Sequence, residues 1–347
     1  MEADEEMLAV RLHAPKKLSV DEISVPSVGP TDVLVKLKAT GVCHSDLHIV
    51  NGMLVPPNPY PVTLGHEGSG IVDKIGERVT NVKVGDPVAL YYMSVCGQCD
   101  YCMTGRENIC DELRDLGFAM EGTYAEYVLL PAQSTLRLPD GVPFDQAALA
   151  GCAVVTPFHA MTVGEVKPGD SVAVYGAGGV GIHGVQLAKL FGASQIISVD
   201  INPKKLEAAK QVGATDLVNA KQEDPVEAIQ SLTDGRGVDV AFEFIGLRAT
   251  QEQLVRSVKK GGVAVMVGIS GIKFEIDAND FLFKGAQLRT TQNHTRDHLR
   301  RVLNLISTGR INMAGSISQK YPLSEAKKAL ETLDKQTDNP IRIVLQP

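Results

Sequence analysis

Apolar and polar positions follow two different rhythms along the chain. Up to about residue 140 the apolar runs are short and partly alternating, close to the period of a half-buried strand. Leu18 to Val25 and Val33 to Leu37 are runs of this kind, punctuated by Pro26, Gly29 and Pro30. Residues 41–53 predict a turn leading into a short helix, and Asn51 to Pro61 is a proline-rich loop. Gly70-Ile71-Val72 opens another strand, and Val84 to Val88 gives a turn with a strand after it. Residues 122–139 are strand-like again and end at Pro139-Asp140-Gly141.

Beyond that point the period lengthens. Phe144 to Val154 has a helical pattern rich in small residues, and Thr156-Pro157 starts a further helix to about Val163, with proline tolerated in the first turn. Ser171 to Tyr175 is an apolar strand, followed by a glycine turn and a helical pattern through Ile182, Val185, Leu187, Ala188 and Leu190. Ile196 to Val199 predicts a second strand. Leu206 to Val212 is helical, Val238 to Phe242 a strand, Gln251 to Val258 helical and Val263 to Val267 a strand. This alternation implies an α/β fold, a parallel sheet covered by helices on both sides. Residues 295–307 and 324–334 predict two helices, and Ile341 to Leu345 a last strand that returns to the incomplete β-rich first part.

Composition narrows the reading. The 347 residues suit two domains, and a 44% hydrophobic share supplies a substantial core. A net charge of −7 with no basic block argues against a nucleic-acid partner. Met1 to Glu6 is acidic and lacks the apolar run of a signal peptide. No stretch approaches a membrane span in this reading, and the expected location is cytoplasmic. In such a chain six cysteines favour metal binding over disulfides.

Their spacing gives the chemistry. Cys96-x2-Cys99-x2-Cys102-x7-Cys110 can wrap one zinc in four thiolates, a closed and therefore structural shell. The short lobe has little core of its own, which the metal would replace. Cys43, in Cys43-His44-Ser45-Asp46-Leu47-His48, and His66, in Gly65-His66-Glu67, suggest two further ligands, and Cys152 could supply a third. Two thiolates, one imidazole and an open position make a catalytic zinc set. Gly176, Gly178 and Gly181 lie between a strand and a helix, the context a dinucleotide-binding turn needs. The helix N-terminus offers free N–H groups to the pyrophosphate. Asp200 lies 19 residues after Gly181. Its carboxylate can accept from the adenosine ribose and would repel a 2′-phosphate, so NAD is expected over NADP. The competing role for Asp200 is a cap for the helix starting at Pro203.

These motifs, in this order, resemble the zinc-containing, medium-chain alcohol dehydrogenases from about Leu8 to the C-terminus. Alcohol dehydrogenase is an example of the two-cysteine, one-histidine zinc set. The resemblance implies a GroES-like, zinc-binding catalytic domain at residues 1–154 and 292–347, with a structural zinc lobe at 94–112. A Rossmann domain would occupy 155–291. It implies two zinc ions per chain, with Cys43, His66 and Cys152 on the catalytic one and Glu67 as an occasional ligand. The reaction implied is reversible oxidation of a primary or secondary alcohol by hydride transfer from a zinc-bound alkoxide to NAD. Ser45 and His48 would form the proton relay, against the plainer readings of a local turn hydrogen bond and a surface histidine. Asp46 would orient His66.

Cofactor contacts implied in the same way are His44, Thr156, Gly179, Val180, Lys205, Val267 and Arg342, besides the three glycines and Asp200. His44 and Arg342 would face the pyrophosphate. Because a histidine loses its charge near neutral pH, cofactor affinity is expected to fall as pH rises. Tyr92 matches a substrate-pocket position. The missing insertion between the cysteine lobe and Cys152 resembles the microbial tetramers, with a dimer as the alternative and subunits joining near Val263 to Leu288. A polyol dehydrogenase on the same scaffold is disfavoured by Cys152, since the sorbitol branch usually carries glutamate there. A non-catalytic nucleotide-binding protein is disfavoured by the retained relay residues.

Overall fold

In the computed structural model, which describes residues 5–269, 271–313 and 315–347, the chain forms two compact units. One comprises Met1–Cys152 with Thr295–Pro347, the other Ala153–His294.

The first unit is built on mixed β-structure. Asp32–Val42 is its central strand, antiparallel to Glu67–Ile75, to Tyr127–Pro131 and to the C-terminal strand Arg342–Gln346. Gly41 pairs with Glu67 and Val42 with Ile343, so this register brings the loop before Cys43, the Glu67 strand and the C-terminus to one place. The core beneath holds Leu12, Leu64, Tyr124, Leu330 and Ile343. The helix Arg296–Ser307 buries Leu299, Val302, Leu303 and Ile306, the spacing of one helical face, and the Thr295 hydroxyl accepts from His298 N–H at its N-terminus.

The second unit is a parallel sheet among the described residues. Its strands run in the order Asp216–Asn219, Gln195–Asp200, Ser171–Tyr175, Val238–Glu243, Val258–Met266, Gln287–Thr290. The order reverses between Ser171–Tyr175 and Val238–Glu243, which makes the carboxyl ends of those two strands the switch point of a doubly wound fold.

Several boundaries differ from the sequence expectation. Strand Glu67–Ile75 starts three residues before Gly70, because Glu67 and Gly68 pair with Gly41 and Thr40. The two helices expected around residues 144–163 are one run, Phe144–Leu149 and Val155–Gly164 joined by a wide turn at Ala150–Val154. The run is long and apolar enough to cross a membrane, which corrects the expectation that no stretch is. Yet 78% of its apolar window is buried inside the protein, as in a core helix. Val258 belongs to a strand rather than to the helix before it, and Val267 lies just past that strand. Short elements beyond those the sequence pattern predicts include Asp216–Asn219, Pro225–Leu232, Ala278–Lys284 and Ile317–Pro322. Pro225–Leu232 did carry a start signal: Asp224 accepts from the N–H groups of Val226 and Glu227, with Pro225 at the first helical position.

Candidate functional site

Cysteines collect in two clusters, both within the first unit. In the first, donor atoms of Cys43, His66, Glu67 and Cys152 all lie within 4.8 Å of one another. Each comes from a different piece of local structure. Cys43 immediately precedes the short helix His44–Val50, and its thiolate accepts from the Ser45 hydroxyl at 3.1 Å. His66 ends the loop before the Glu67 strand, and Cys152 lies in the wide turn of the long helical run. Cys43 and Glu67 are buried and His66 is nearly so.

Asp46 organises this cluster. It is fully buried, and its Oδ2 accepts from the Cys43 N–H at 2.9 Å and from the Tyr124 hydroxyl at 2.7 Å. Its Oδ1 lies 3.3 Å from His66 Nδ1, which leaves Nε2 for a metal. The Tyr124 contact was not anticipated; only the tyrosine's burial in the folded core reveals it. Tyr92 packs edge-on against the His66 ring with centroids 5.2 Å apart. Behind the cluster, Glu67 and Arg342 form a buried ion pair. Arg342 is 4% exposed, so the structure gives it a role as counterion to Glu67.

The electrostatics suit a cation. Cys43 lies well below the usual thiol range because it accepts from the Cys152 thiol, an effect burial opposes and His66 and Arg342 reinforce. Cys152, the donor in that pair, is pushed well above the range by Cys43 and by burial. Burial pushes the Glu67 carboxyl up to about 7 against the pull of Arg342. Its Oε1 is buried with no hydrogen-bond partner, 4.0 Å from His66 Nε2. Two cysteine sulfurs, an imidazole and a buried carboxylate oxygen with no hydrogen-bond partner form a donor set that fits a divalent ion of intermediate softness.

The second cluster joins Cys96, Cys99, Cys102 and Cys110 within the same 4.8 Å limit. Cys110 Sγ lies 3.5 Å from Cys96 Sγ and 3.9 Å from Cys99 Sγ. Tetrahedral zinc with Zn–S near 2.3 Å places sulfurs about 3.8 Å apart. All six cysteines are free, so neither cluster is a disulfide network. The N–H groups of Cys96 and Glu112 point at Cys110 Sγ, and that of Cys99 at Cys96 Sγ. A two-residue β-ladder, Met93–Ser94 with Arg114–Asp115, closes the base of the lobe. Arg296 ties it to the helix Arg296–Ser307 through Glu107, at 2.8 Å from the backbone N–H and 3.1 Å from Nε.

Ser45 and His48 share the short helix after Cys43. His48 is half-buried, and its Nδ1 has no hydrogen-bond partner. His44 is exposed at the start of that helix.

In the second unit Gly176 has φ +92°. A Cβ on Gly181 would lie 1.6 Å from the Gly176 carbonyl oxygen, so only glycine fits there, whereas Gly178 faces open space where a phosphate can approach the main chain. Asp200 ends the second strand of the motif. Its Oδ2 accepts from Ala177 N–H and its Oδ1 from Asn202 N–H, both at 2.8 Å. The cap of the following helix is Asn202, which accepts from Lys204 N–H, rather than Asp200. Gly179 and Val180 complete the turn, Lys205 is half-buried on that next helix, Thr156 is half-buried on the helix Val155–Gly164, and Val267 follows the fifth strand.

Comparison with known proteins agrees with this geometry. Residues 29–140 match the alcohol dehydrogenase GroES-like domain family and residues 179–308 the zinc-binding dehydrogenase family. An alcohol dehydrogenase of Geobacillus stearothermophilus is 35% identical over 95% of this chain and 96% of its own length. An L-threonine 3-dehydrogenase of Bacillus licheniformis is 35% identical over 91% of this chain and 92% of its own. Among solved structures, a putative zinc-binding dehydrogenase of Sinorhizobium meliloti 1021, bound to NADP, superposes with a TM-score of 0.92 at 34% identity, covering 99% of this chain and 100% of that one. The chain belongs to the zinc-containing medium-chain alcohol dehydrogenase family. It is an oxidoreductase with a GroES-like domain and a Rossmann-type domain.

Proposed function

We propose that the chain is an NAD-dependent zinc alcohol dehydrogenase that interconverts primary or secondary alcohols and their aldehydes or ketones. The observation that carries this reading is the convergence of Cys43, His66 and Cys152, with the Ser45 hydroxyl 3.1 Å from Cys43 Sγ and the His48 imidazole on the same short helix. A zinc ion held by these three residues would supply Lewis acidity, lowering the pKa of a substrate hydroxyl or polarising a carbonyl. Ser45, whose hydroxyl lies 3.1 Å from Cys43 Sγ, would take the substrate proton on its oxygen as its own hydroxyl proton passes on. His48, one turn along the helix, receives that proton and releases it to solvent. Asp46 fixes the His66 tautomer, and Glu67 with Arg342 sets the charge behind the ligands.

On the cofactor side, Asp200 supports NAD, because a carboxylate at the end of the second strand disfavours a 2′-phosphate. The four-cysteine lobe is read as holding a second, structural zinc. Six free thiols suit a reducing compartment, in keeping with a cytoplasmic enzyme. Homo-oligomerisation, as a tetramer or a dimer, is supported by the edge strand Gln287–Thr290 beside a helix that leaves Leu282 70% and Phe283 79% exposed. Light scattering on the eluting protein measures that mass.

The test is NADH formation with a panel of simple primary, secondary and benzylic alcohols, vicinal diols and threonine, with zinc counted on the same sample. About two zinc ions per chain with turnover on simple alcohols is expected. Turnover confined to threonine or diols would replace the substrate class, and a preference for NADP would overturn the role given to Asp200.

A further inference from the structure

Glu243 sits at the carboxyl end of the strand Val238–Glu243, at the point where the strand order of the parallel sheet reverses. It is fully buried. Its carboxylate Oε1 accepts from Ile245 N–H at 2.9 Å and Gly246 N–H at 2.7 Å, and lies 2.7 Å from the Thr250 hydroxyl. Its main-chain carbonyl accepts from Val267 N–H at 3.0 Å and Gly268 N–H at 2.9 Å. The side chain therefore anchors the turn 244–247 after its own strand, while the main chain at this position, as at any residue, anchors 267–269 after the neighbouring one.

The turns are also packed against each other. A Cβ on Gly246 would lie 2.2 Å from the Ile269 carbonyl oxygen. One on Gly268 would lie 2.8 Å from Glu243 Oε2. The first turn reaches the glycine turn as well, since a Cβ on Gly176 would lie 2.7 Å from Ile245 Cγ1. Ile245, Leu247 and Ile269 stand on these turns 41%, 56% and 48% exposed, an apolar rim at the carboxyl ends of the strands.

The arrangement is costly for a core. Glu243 Oε2 is buried with no hydrogen-bond partner, and burial pushes the carboxyl above its ordinary range against the bonds it accepts. An apolar side chain would avoid that cost but could not accept the amides of the turn. In doubly wound folds the crevice at the reversal point takes the ligand.

We propose that Glu243 is a positioning residue for the dinucleotide: its side chain holds the turn 244–247, against which the turn 267–269 packs, so that the walls of the crevice are preformed before the dinucleotide arrives. The inference rests on the reading of this unit as NAD-binding. Glu243 reaches no reacting atom, so its loss acts on cofactor affinity and leaves the chemical step in place.

The experiment titrates NADH into the zinc-loaded wild-type, Glu243→Leu and Glu243→Gln proteins, following the cofactor's own fluorescence, with melting temperature, zinc content and kcat at saturating NAD measured in parallel. Glu243→Leu is expected to weaken NADH binding by about tenfold or more while kcat stays within about twofold. Glu243→Gln keeps an acceptor for the turn amides and is expected to stay within about threefold of wild type. Thr250→Val, which removes a single donor, serves if the leucine variant does not fold, with weakening of about threefold expected. Wild-type affinity in Glu243→Leu, or in Thr250→Val where that stands in, overturns the proposal. So does equal weakening in the leucine and glutamine variants, or a fall in kcat at unchanged affinity. If the wild-type protein binds neither NADH nor NADPH, the dinucleotide reading itself fails, an outcome distinct from the others.

Discussion

The two cysteine clusters use the same element for opposite ends of the structural scale. Cys96, Cys99, Cys102 and Cys110 lie within fifteen residues of chain, half-exposed except for Cys110, and close a loop with almost no apolar interior. Cys43, His66 and Cys152 span 110 positions and meet in a buried place, backed by Asp46, Tyr124, Glu67 and Arg342. In the lobe the donors hold the backbone together, so a metal there substitutes for a core. In the other cluster the core holds the donors, so a metal there can keep a position free for chemistry. Supporting groups, rather than cysteine count, distinguish the two clusters.

The largest effect expected is from His66→Ala, which removes a donor that the fold itself holds in place. Turnover should fall by at least about a thousandfold, while far-UV circular dichroism and the lobe's zinc are retained. An active variant would erase the distinction between the clusters. Next, Cys110→Ser should release one zinc and lower stability by several kcal/mol, a drop of about 10 °C in Tm. The activity of the folded fraction should fall far less than in His66→Ala. Calorimetry with metal analysis reads both quantities, and a lobe that loses zinc without loss of Tm would not be a brace.

Asp46→Asn should weaken one cluster and spare the other. It removes charge from the group that orients His66 and accepts from Tyr124 and the Cys43 N–H. Zinc affinity at that cluster should fall about 10- to 100-fold, measured by competition with a chelator, and the lobe should be unaffected.

The smallest effect provides the baseline for a polar contact that supports no site. Burial pushes the Asp239 carboxyl up, but its bonds to Lys259 and to the Ser171 N–H and hydroxyl outweigh this and hold it below the ordinary range. A depressed carboxylate stabilises the fold above its unfolded-state value, and the contribution is lost as pH falls through the folded value. Asp239→Asn should therefore lower stability by about 1 kcal/mol at neutral pH, with the difference from wild type vanishing below the ordinary aspartate range. Denaturant titrations at several pH values measure it.

Legibility followed sequence distance. The cysteine lobe and the glycine turn were readable because each is complete within some fifteen residues or fewer, and residue spacing there already limits geometry. Much of the strand–helix alternation of the second unit was readable for the same reason: an apolar strand such as Ser171–Tyr175 and the helical stripe after it signal locally. Gln287–Thr290 and Ile317–Pro322 escaped, since neither is fully apolar and their pairing with distant strands decides their state.

By itself the sequence determined the donor types, the closed lobe, the glycine turn with its acid and the layered α/β plan, all consequences of short-range spacing and periodicity. Only the tertiary structure decided that Tyr124 braces Asp46, that Arg342 is buried as the partner of Glu67, and that Glu243 ties two turns together. The first two join residues 78 and 275 positions apart in the chain and the third spans two neighbouring strands, so none of them exists before the sheets have formed.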